Sequence, residues 1–124
     1  MKRPVPASGL GHLRVVLDAE FYMGPGRADL LEGIEATGSI SAAGKAMGMS
    51  YKRAWSLVQA LNDGFGAPLV QTSRGGSGQG GASLTDAGRD VLARYRAMQA
   101  KTETAIAEDL DALRALRRDI SRQT

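Results

Sequence analysis

Residues 38–62, GSISAAGKAMGMSYKRAWSLVQALN, restrict the fold more than any other stretch, because two short helical patterns sit on either side of a tight break. Ser39 offers an N-cap oxygen to a helix whose Ile40, Ala43 and Met47 fall on one face at spacings of three and four. Ala42, Ala43 and Gly44 are small enough to let another helix approach closely. Gly48 suits the left-handed conformation just past a helix end, and Ser50 supplies the next N-cap. The helix that follows carries Ala54, Leu57, Val58, Leu61 and Phe65 within one apolar arc, with Tyr51 and Trp55 at its margin. Two helices joined by so short a connection pack at an angle, and the pair is a helix-turn-helix.

The opposite arc of the second helix holds Lys52, Arg53, Ser56 and Gln59. No acid occurs between Glu35 and Asp63, whereas Lys45, Lys52 and Arg53 all lie in that interval, so the exposed face suits a polyanion. Cationic side chains near a helix N-terminus reach guanine edges or phosphates, and Ser50 and Tyr51 can hydrogen-bond to phosphate. The competing reading of the same residues is a solvated basic face on an ordinary helical hairpin.

Charge is informative by its placement rather than its total, which is only +3. Residues 36–85 carry four bases against one acid, while the segments before and after are nearly balanced. With 124 residues the chain is one ordinary domain, large enough for a modest core and small enough to gain from association. It has no cysteine, which excludes a disulfide scaffold and any thiolate metal site, and no metal or cofactor is expected. The sole histidine, His12, stands in a strand-like run without a second histidine or carboxylate partner, so a catalytic role is not expected. No stretch reaches membrane-spanning length and no apolar signal region follows the first residues; a soluble cytoplasmic protein is the expectation.

Residues 1–10, with Pro4, Pro6 and Gly9, read as a flexible tail. From residue 11 to 21 Leu13, Val15 and Leu17 alternate with His12, Arg14, Val16 and Asp18, which predicts a strand. Gly24, Pro25 and Gly26 break it, and residues 28–37 predict a helix burying Leu30, Leu31 and Ile34, closed by Gly38. After the helix-turn-helix, Gly64, Gly66 and Pro68 end helical structure, and PLVQTSR and ASLT flank the Gly-rich GGSGQGG of residues 75–81. Two strands around such a loop make a hairpin, the wing of a winged helix-turn-helix, with Arg74 at its base and no acid in it. The Gly-rich loop lacks the Lys-Ser or Lys-Thr ending of a phosphate-cradling P-loop and precedes a strand rather than a helix, which argues against a nucleotide-binding enzyme.

Thr85 caps the last element, with Asp86 in its first turn. A seam of spacing three and four runs through Leu92, Tyr95, Gln99, Thr102, Ile106, Asp109, Leu113, Leu116 and Ile120, and Gln99, Thr102 and Asp109 weaken its middle as if to mark a bend or break. Unbroken, this helix would be roughly 50 Å long at 1.5 Å per residue. A small core does not bury such a length, so pairing with a second subunit through Leu92, Tyr95, Ile106, Leu113, Leu116 and Ile120 is expected. The other solution is a fold-back of residues 103–120 on the same chain. The fold class is thus mainly α with a small β hairpin: a winged helix-turn-helix over residues 11–85 and a helical dimerisation segment over 86–124.

The combination of GSIS, MSYKRAW, PLV, the Gly-rich hairpin and LTDAG resembles the N-terminal domain of the ModE-type molybdate-responsive transcriptional regulators, over roughly residues 12–98. The resemblance implies a winged helix-turn-helix that dimerises and binds a palindromic operator in double-stranded DNA. It places Ser50, Tyr51, Lys52, Arg53 and Ser56 on the recognition helix and residues 75–81 in the wing. Lys45, Gln59 and Arg74 complete the expected DNA-binding set. Where the family's wing commonly contains Lys, this chain has Ser77 and Gln79, so wing contacts, Gln79 among them, are expected either to be weaker or to run through hydrogen bonds rather than charge. The family's oxyanion-binding β-barrels have no counterpart in the helical pattern at the end of this sequence, so molybdate sensing is not expected within it. Paired recognition helices would stand about 34 Å apart, facing successive major grooves. The alternative keeps the fold but uses the long helix for protein assembly, with little or no DNA binding.

Overall fold

The computed structural model of the protein describes residues 9–74 and 80–122. In order, the chain forms β1 (Val15–Val16), β2 (Tyr22–Met23), α1 (Pro25–Thr37), α2 (Ile40–Ala46), α3 (Tyr51–Phe65), β3 (Val70–Arg74), β4 (Gly80–Leu84) and α4 (Asp86–Arg122). Both strand pairs are antiparallel hairpins, β1 with β2 and β3 with β4.

The strand expected over residues 11–21 shrinks to two residues for a local reason. Asp18 Oδ1 accepts hydrogen bonds from the Glu20 and Phe21 amides at 2.8 and 2.9 Å, turning the chain back so that Val15 pairs with Met23 and Val16 with Tyr22. Upstream, the chain runs past α4 instead of along a strand, and the Tyr95 hydroxyl donates to the Leu13 carbonyl at 2.6 Å. His12 is exposed.

Helix α1 begins three residues earlier than the sequence pattern suggests. Pro25 is its first residue rather than a breaker, since a first-turn N–H has no partner within the helix and proline's fixed φ already matches the helix. The helix ends at Gly38, whose φ of 71° lies in the left-handed region and whose amide donates to the Ile34 carbonyl at 2.8 Å. The Gly38 carbonyl in turn accepts the Ala82 amide at 2.9 Å, tying the entrance of the helix-turn-helix to the wing.

The core lies where α1, α2, α3, β3, β4 and the first turns of α4 converge, around Leu30, Leu31, Ile34, Leu61, Leu69, Leu84 and Tyr95, each 1% exposed or less. Close approach is written into two glycines. A Cβ on Gly44 would stand 2.7 Å from the Ala54 Cβ, so α2 lies tight on α3. Gly88 lets the first turn of α4 lie against the Leu69 backbone, where a Cβ would collide with the carbonyl oxygen. Gly64, expected to end α3, stays within it; its missing side chain leaves room for the Glu20 carbonyl, and Gly66, with φ of 82°, is the stop.

Helix α4 is a single helix of 37 residues, so the weak seam positions Gln99, Thr102 and Asp109 mark no break. After Gly88 its sequence contains neither Gly nor Pro, and Thr102 and Thr104 bond back to the Met98 and Ala100 carbonyls at 2.7 and 3.2 Å without interrupting the helix. Arg96 clamps α4 to α1 through Asp29 at 2.8 Å and Glu32 at 3.0 Å. Burial disfavours the charged guanidinium there, but hydrogen bonds and attraction from Asp29 and Glu32 outweigh it and hold the pKa of Arg96 above its ordinary value.

The seam expected along α4 needs correction at its first half. Tyr95 is 1% exposed and belongs to the chain's own core, and Leu92 is half-buried against that core. Ile106 lines a cleft with Gly9 and Leu10 of the chain's own N-terminal segment. Leu113 and Leu116 are 62% and 56% exposed, and the Ile120 side chain lies outside the described residues. The uncovered stripe is therefore displaced around the helix, toward Met98.

Candidate nucleic-acid interface

The turn between α2 and α3 is built by backbone bonds that need little from side chains. The Met47 and Met49 amides both donate to the Gly44 carbonyl at 3.0 Å, and the Gly48 amide donates to the Lys45 carbonyl at 3.0 Å. Gly48 adopts φ of 74°, which reverses the chain. Ser39 Oγ then caps α2 by accepting the Ala42 amide at 3.0 Å, and Ser50 Oγ caps α3 by accepting the Arg53 amide at 3.1 Å. Because Ser50 uses an oxygen lone pair for the cap, its hydroxyl proton remains free to donate outward.

The burial of α3 orients what is left. Ala54, Val58 and Leu61 are buried, Trp55 and Leu57 are half-buried, and Tyr51, Lys52, Arg53, Ser56 and Gln59 are exposed along the outer arc. Asn62 fixes the helix against the wing: its Oδ1 accepts the Leu69 and Val70 amides at 2.8 and 3.1 Å, and its Nδ2 donates to the Val70 carbonyl at 3.2 Å. That tie carries no periodic signal in the sequence, since asparagine near a helix end reads equally well as a surface residue. The wing is in register from Val70 opposite Leu84 to Arg74 opposite Gly80, and Thr85 both donates to the Pro68 carbonyl at 2.7 Å and caps α4. Residues 75–79, including Gln79, and the side chain of Arg74 lie outside the described residues.

Between α2, α3 and the wing runs an open cleft of about 610 Å³ lined by Ser39, Ile40, Ser41, Tyr51, Trp55, Thr72, Ser73, Gly81 and Ala82. Hydroxyl groups dominate its polar side. The Tyr51 ring meets Trp55 edge-on at 6.2 Å between centroids, and the two rings separate this cleft from the groove formed by Tyr51, Lys52, Trp55, Ser56 and Gln59. Ser41, Thr72 and Ser73 are additions that sequence reasoning missed; Ser39 was visible as a cap, but only the packed wing brings Thr72 and Ser73 beside it and Ser41. Trp55, at the margin of the apolar arc, both packs on the core and lines the cleft.

Electrostatically the face is one-sided. Lys45, Lys52 and Arg53 are exposed and, among the described residues, none forms an ion pair, in contrast to Arg89, Arg94, Arg96 and Arg114 on α4, which all do. The first turn of α3 also carries no acid, so the positive end of the helix dipole adds to the cations. Uncompensated cations, hydroxyl donors and a helix N-terminus form a surface that receives phosphates. Among the described residues no cluster of His, Cys, Asp or Glu could hold a metal, and no helix is long and apolar enough to cross a membrane.

The family described as bacterial regulatory helix-turn-helix protein, lysR family, matches residues 28–89, which run from α1 through the wing into α4. Over 78 residues the chain is 50% identical to the molybdenum-pterin-binding protein MopB of Rhodobacter capsulatus, covering 63% of this chain and 29% of that protein. It is 42% identical over 80 residues to the molybdenum transport protein ModE of Azotobacter vinelandii, covering 64% of this chain and 30% of that one. To the transcriptional regulator ModE of Yersinia pestis it is 35% identical over 113 residues, covering 89% of this chain and 43% of that protein. The chain thus spans less than half the length of each of these relatives. Matched over half its length and built around two capped helices and a wing, the chain belongs to the lysR family of bacterial regulatory helix-turn-helix proteins, with a winged helix-turn-helix of the ModE type.

Proposed function

We propose that the chain is a DNA-binding transcriptional regulator that grips a palindromic operator as a homodimer, inside the cell where that DNA lies. The observation that carries this reading is the outer arc of α3, where Lys52 and Arg53 stand exposed and, among the described residues, without carboxylate partners beside Ser56 and Gln59. In it Lys52 and Arg53 enter the major groove, Lys45 holds the backbone, and the cleft hydroxyls of Ser39, Ser41, Thr72 and Ser73 follow a phosphate strand towards the wing. Two copies related by a two-fold axis present two recognition helices about 34 Å apart, which makes the operator palindromic.

The names of several relatives refer to molybdenum, and ModE of Yersinia pestis is named a transcriptional regulator. A regulator of related genes is the corresponding proposal here, with no molybdate site inside this chain.

Selection of bound duplexes from a random pool, followed by anisotropy of the enriched duplex across a salt series, tests the proposal. Enrichment of a two-fold repeat whose binding weakens steeply with salt is the expected result. Equal, weak retention of all duplexes at low salt would leave the assembly reading in its place.

A further inference from the structure

Among the described residues, Tyr51 is the one large apolar side chain left in water on the outer arc of α3. It is 58% exposed, and the other exposed large apolar residues lie on the β1–β2 hairpin, at the end of α3 or on α4. A ring standing among Lys52, Arg53, Ser56 and Gln59 adds little to the core, yet it is held in place. Its edge-on contact with Trp55 has 6.2 Å between centroids, and Trp55 in turn packs on the core. Tyr51, Trp55 and Gln59 stand at i, i+4 and i+8 and make one ridge of the helix surface; Lys52 and Ser56, at i and i+4, make the next. The same five residues line an open groove of about 540 Å³, so it has rings on one wall and hydrogen-bond donors on the other.

That pairing of walls sorts the four bases. In the major groove thymine sets an apolar methyl beside an acceptor, O4. Cytosine presents the N4 amine without a methyl, adenine an amine and N7, and guanine two acceptors with no apolar group. Only thymine offers something to both walls, its methyl to the rings and O4 to the Lys52 ammonium, which has donors and no acceptor. We propose that Tyr51, backed by Trp55, is a specificity-determining residue that takes the 5-methyl group of one thymine in each half of the bound duplex, with Lys52 donating to O4 of the same base. Tyr51 is the first residue of α3, and the N-terminal residues of a recognition helix are those that meet base edges. The sequence alone pointed only to a phosphate contact through the Tyr51 hydroxyl; the exposed ring, fixed against Trp55, gives the apolar part of the side chain a task of its own.

The inference rests on the DNA binding proposed above, and its test separates the two. In the duplex enriched by selection, each thymine is replaced in turn by uracil, which keeps O4 and the pairing with adenine and removes only the methyl. Burying one such group is worth roughly four-fold in affinity, so uracil at one thymine of a half-site weakens binding about four-fold, and in both half-sites together about fifteen-fold. Tyr51→Ala, at an exposed position and with its melting temperature retained, binds the thymine and uracil duplexes equally. Tyr51→Phe keeps the ring and keeps the preference for thymine. At the same position 5-methylcytosine paired with guanine restores the methyl but turns an amine toward Lys52; it binds more weakly than thymine, and the difference narrows in Lys52→Ala. Equal binding of 5-methylcytosine and thymine by the native chain overturns the contact assigned to Lys52. Selective binding in which no uracil weakens the complex, or in which the loss on uracil persists in Tyr51→Ala, overturns the inference and leaves the DNA-binding reading standing. Equal binding of the native chain to all duplexes removes both.

Discussion

Helices α3 and α4 each bury one face and leave another in water, but the chemistry of the two uncovered faces is opposite. On α3 the outer arc carries Tyr51, Lys52, Arg53, Ser56 and Gln59; on α4 beyond residue 97 it carries Met98, Leu113 and Leu116 between charged residues. Cations without carboxylate partners cost little in water and are rewarded by phosphates. Exposed leucines on a helix that outruns its core are rewarded only by another apolar surface. One face calls for a polyanion and the other for protein, and the two are joined at Phe65, where the end of α3 meets an apolar pocket on α4.

The comparison breaks most visibly at Tyr95, where α4 changes from core element to uncovered helix. Tyr95→Ala removes a fully buried ring and its bond to the Leu13 carbonyl, and the expected cost is about 3 to 5 kcal/mol in chemical denaturation. If Tyr95 belonged to a subunit interface instead, dilution rather than denaturant would reveal its loss. At the other face, Arg53→Ala is expected to cost about 1 to 3 kcal/mol of operator binding with an unchanged melting temperature. Unaltered affinity would show that Arg53 does not touch the duplex. Trp55→Ala sits between these two cases, since the ring packs on the core and lines the cleft; a stability loss of about 2 kcal/mol should accompany any loss of binding. An intact melting temperature with binding abolished would make Trp55 a reading residue only. The smallest expected effect is that of molybdate: no shift of the melting temperature of this chain, whereas a saturable shift would locate an oxyanion site within it.

The parts that could be read from the sequence are those whose physics is local. The caps at Ser39, Ser50 and Thr85 and the left-handed glycines at 38 and 48 sit where hydrogen-bond geometry demands them, and the buried faces of α1 and α3 follow their periodicity. What escaped depends on residues far apart in the chain. The Tyr95 hydroxyl meets a carbonyl 82 residues away, and a seam residue by spacing became a core residue. Adjacent stripes on a helix share most of their residues, so periodicity placed the α4 seam about one position from the stripe that is bare. The expected strand over residues 11–21 failed because Asp18, read as one polar position in an alternation, closes a turn with its side chain. In the candidate interface the basic residues of α3 were legible as an acid-free interval. The hydroxyl cleft was not, because Ser41 and Thr72 are brought together only by the wing docking on α2 and α3.

The proposed role of the outer arc of α3, to neutralise phosphates and read bases, is tested most directly by the salt slope of duplex binding. Anisotropy of the selected duplex is measured from low to moderate salt for the native chain and for Lys52→Ala with Arg53→Ala. A steep slope is predicted for the native chain. The double variant should bind more weakly, with a slope shallower by up to about one for each phosphate that is no longer neutralised. Identical affinities and slopes for the two proteins, with both folded, would contradict the claim.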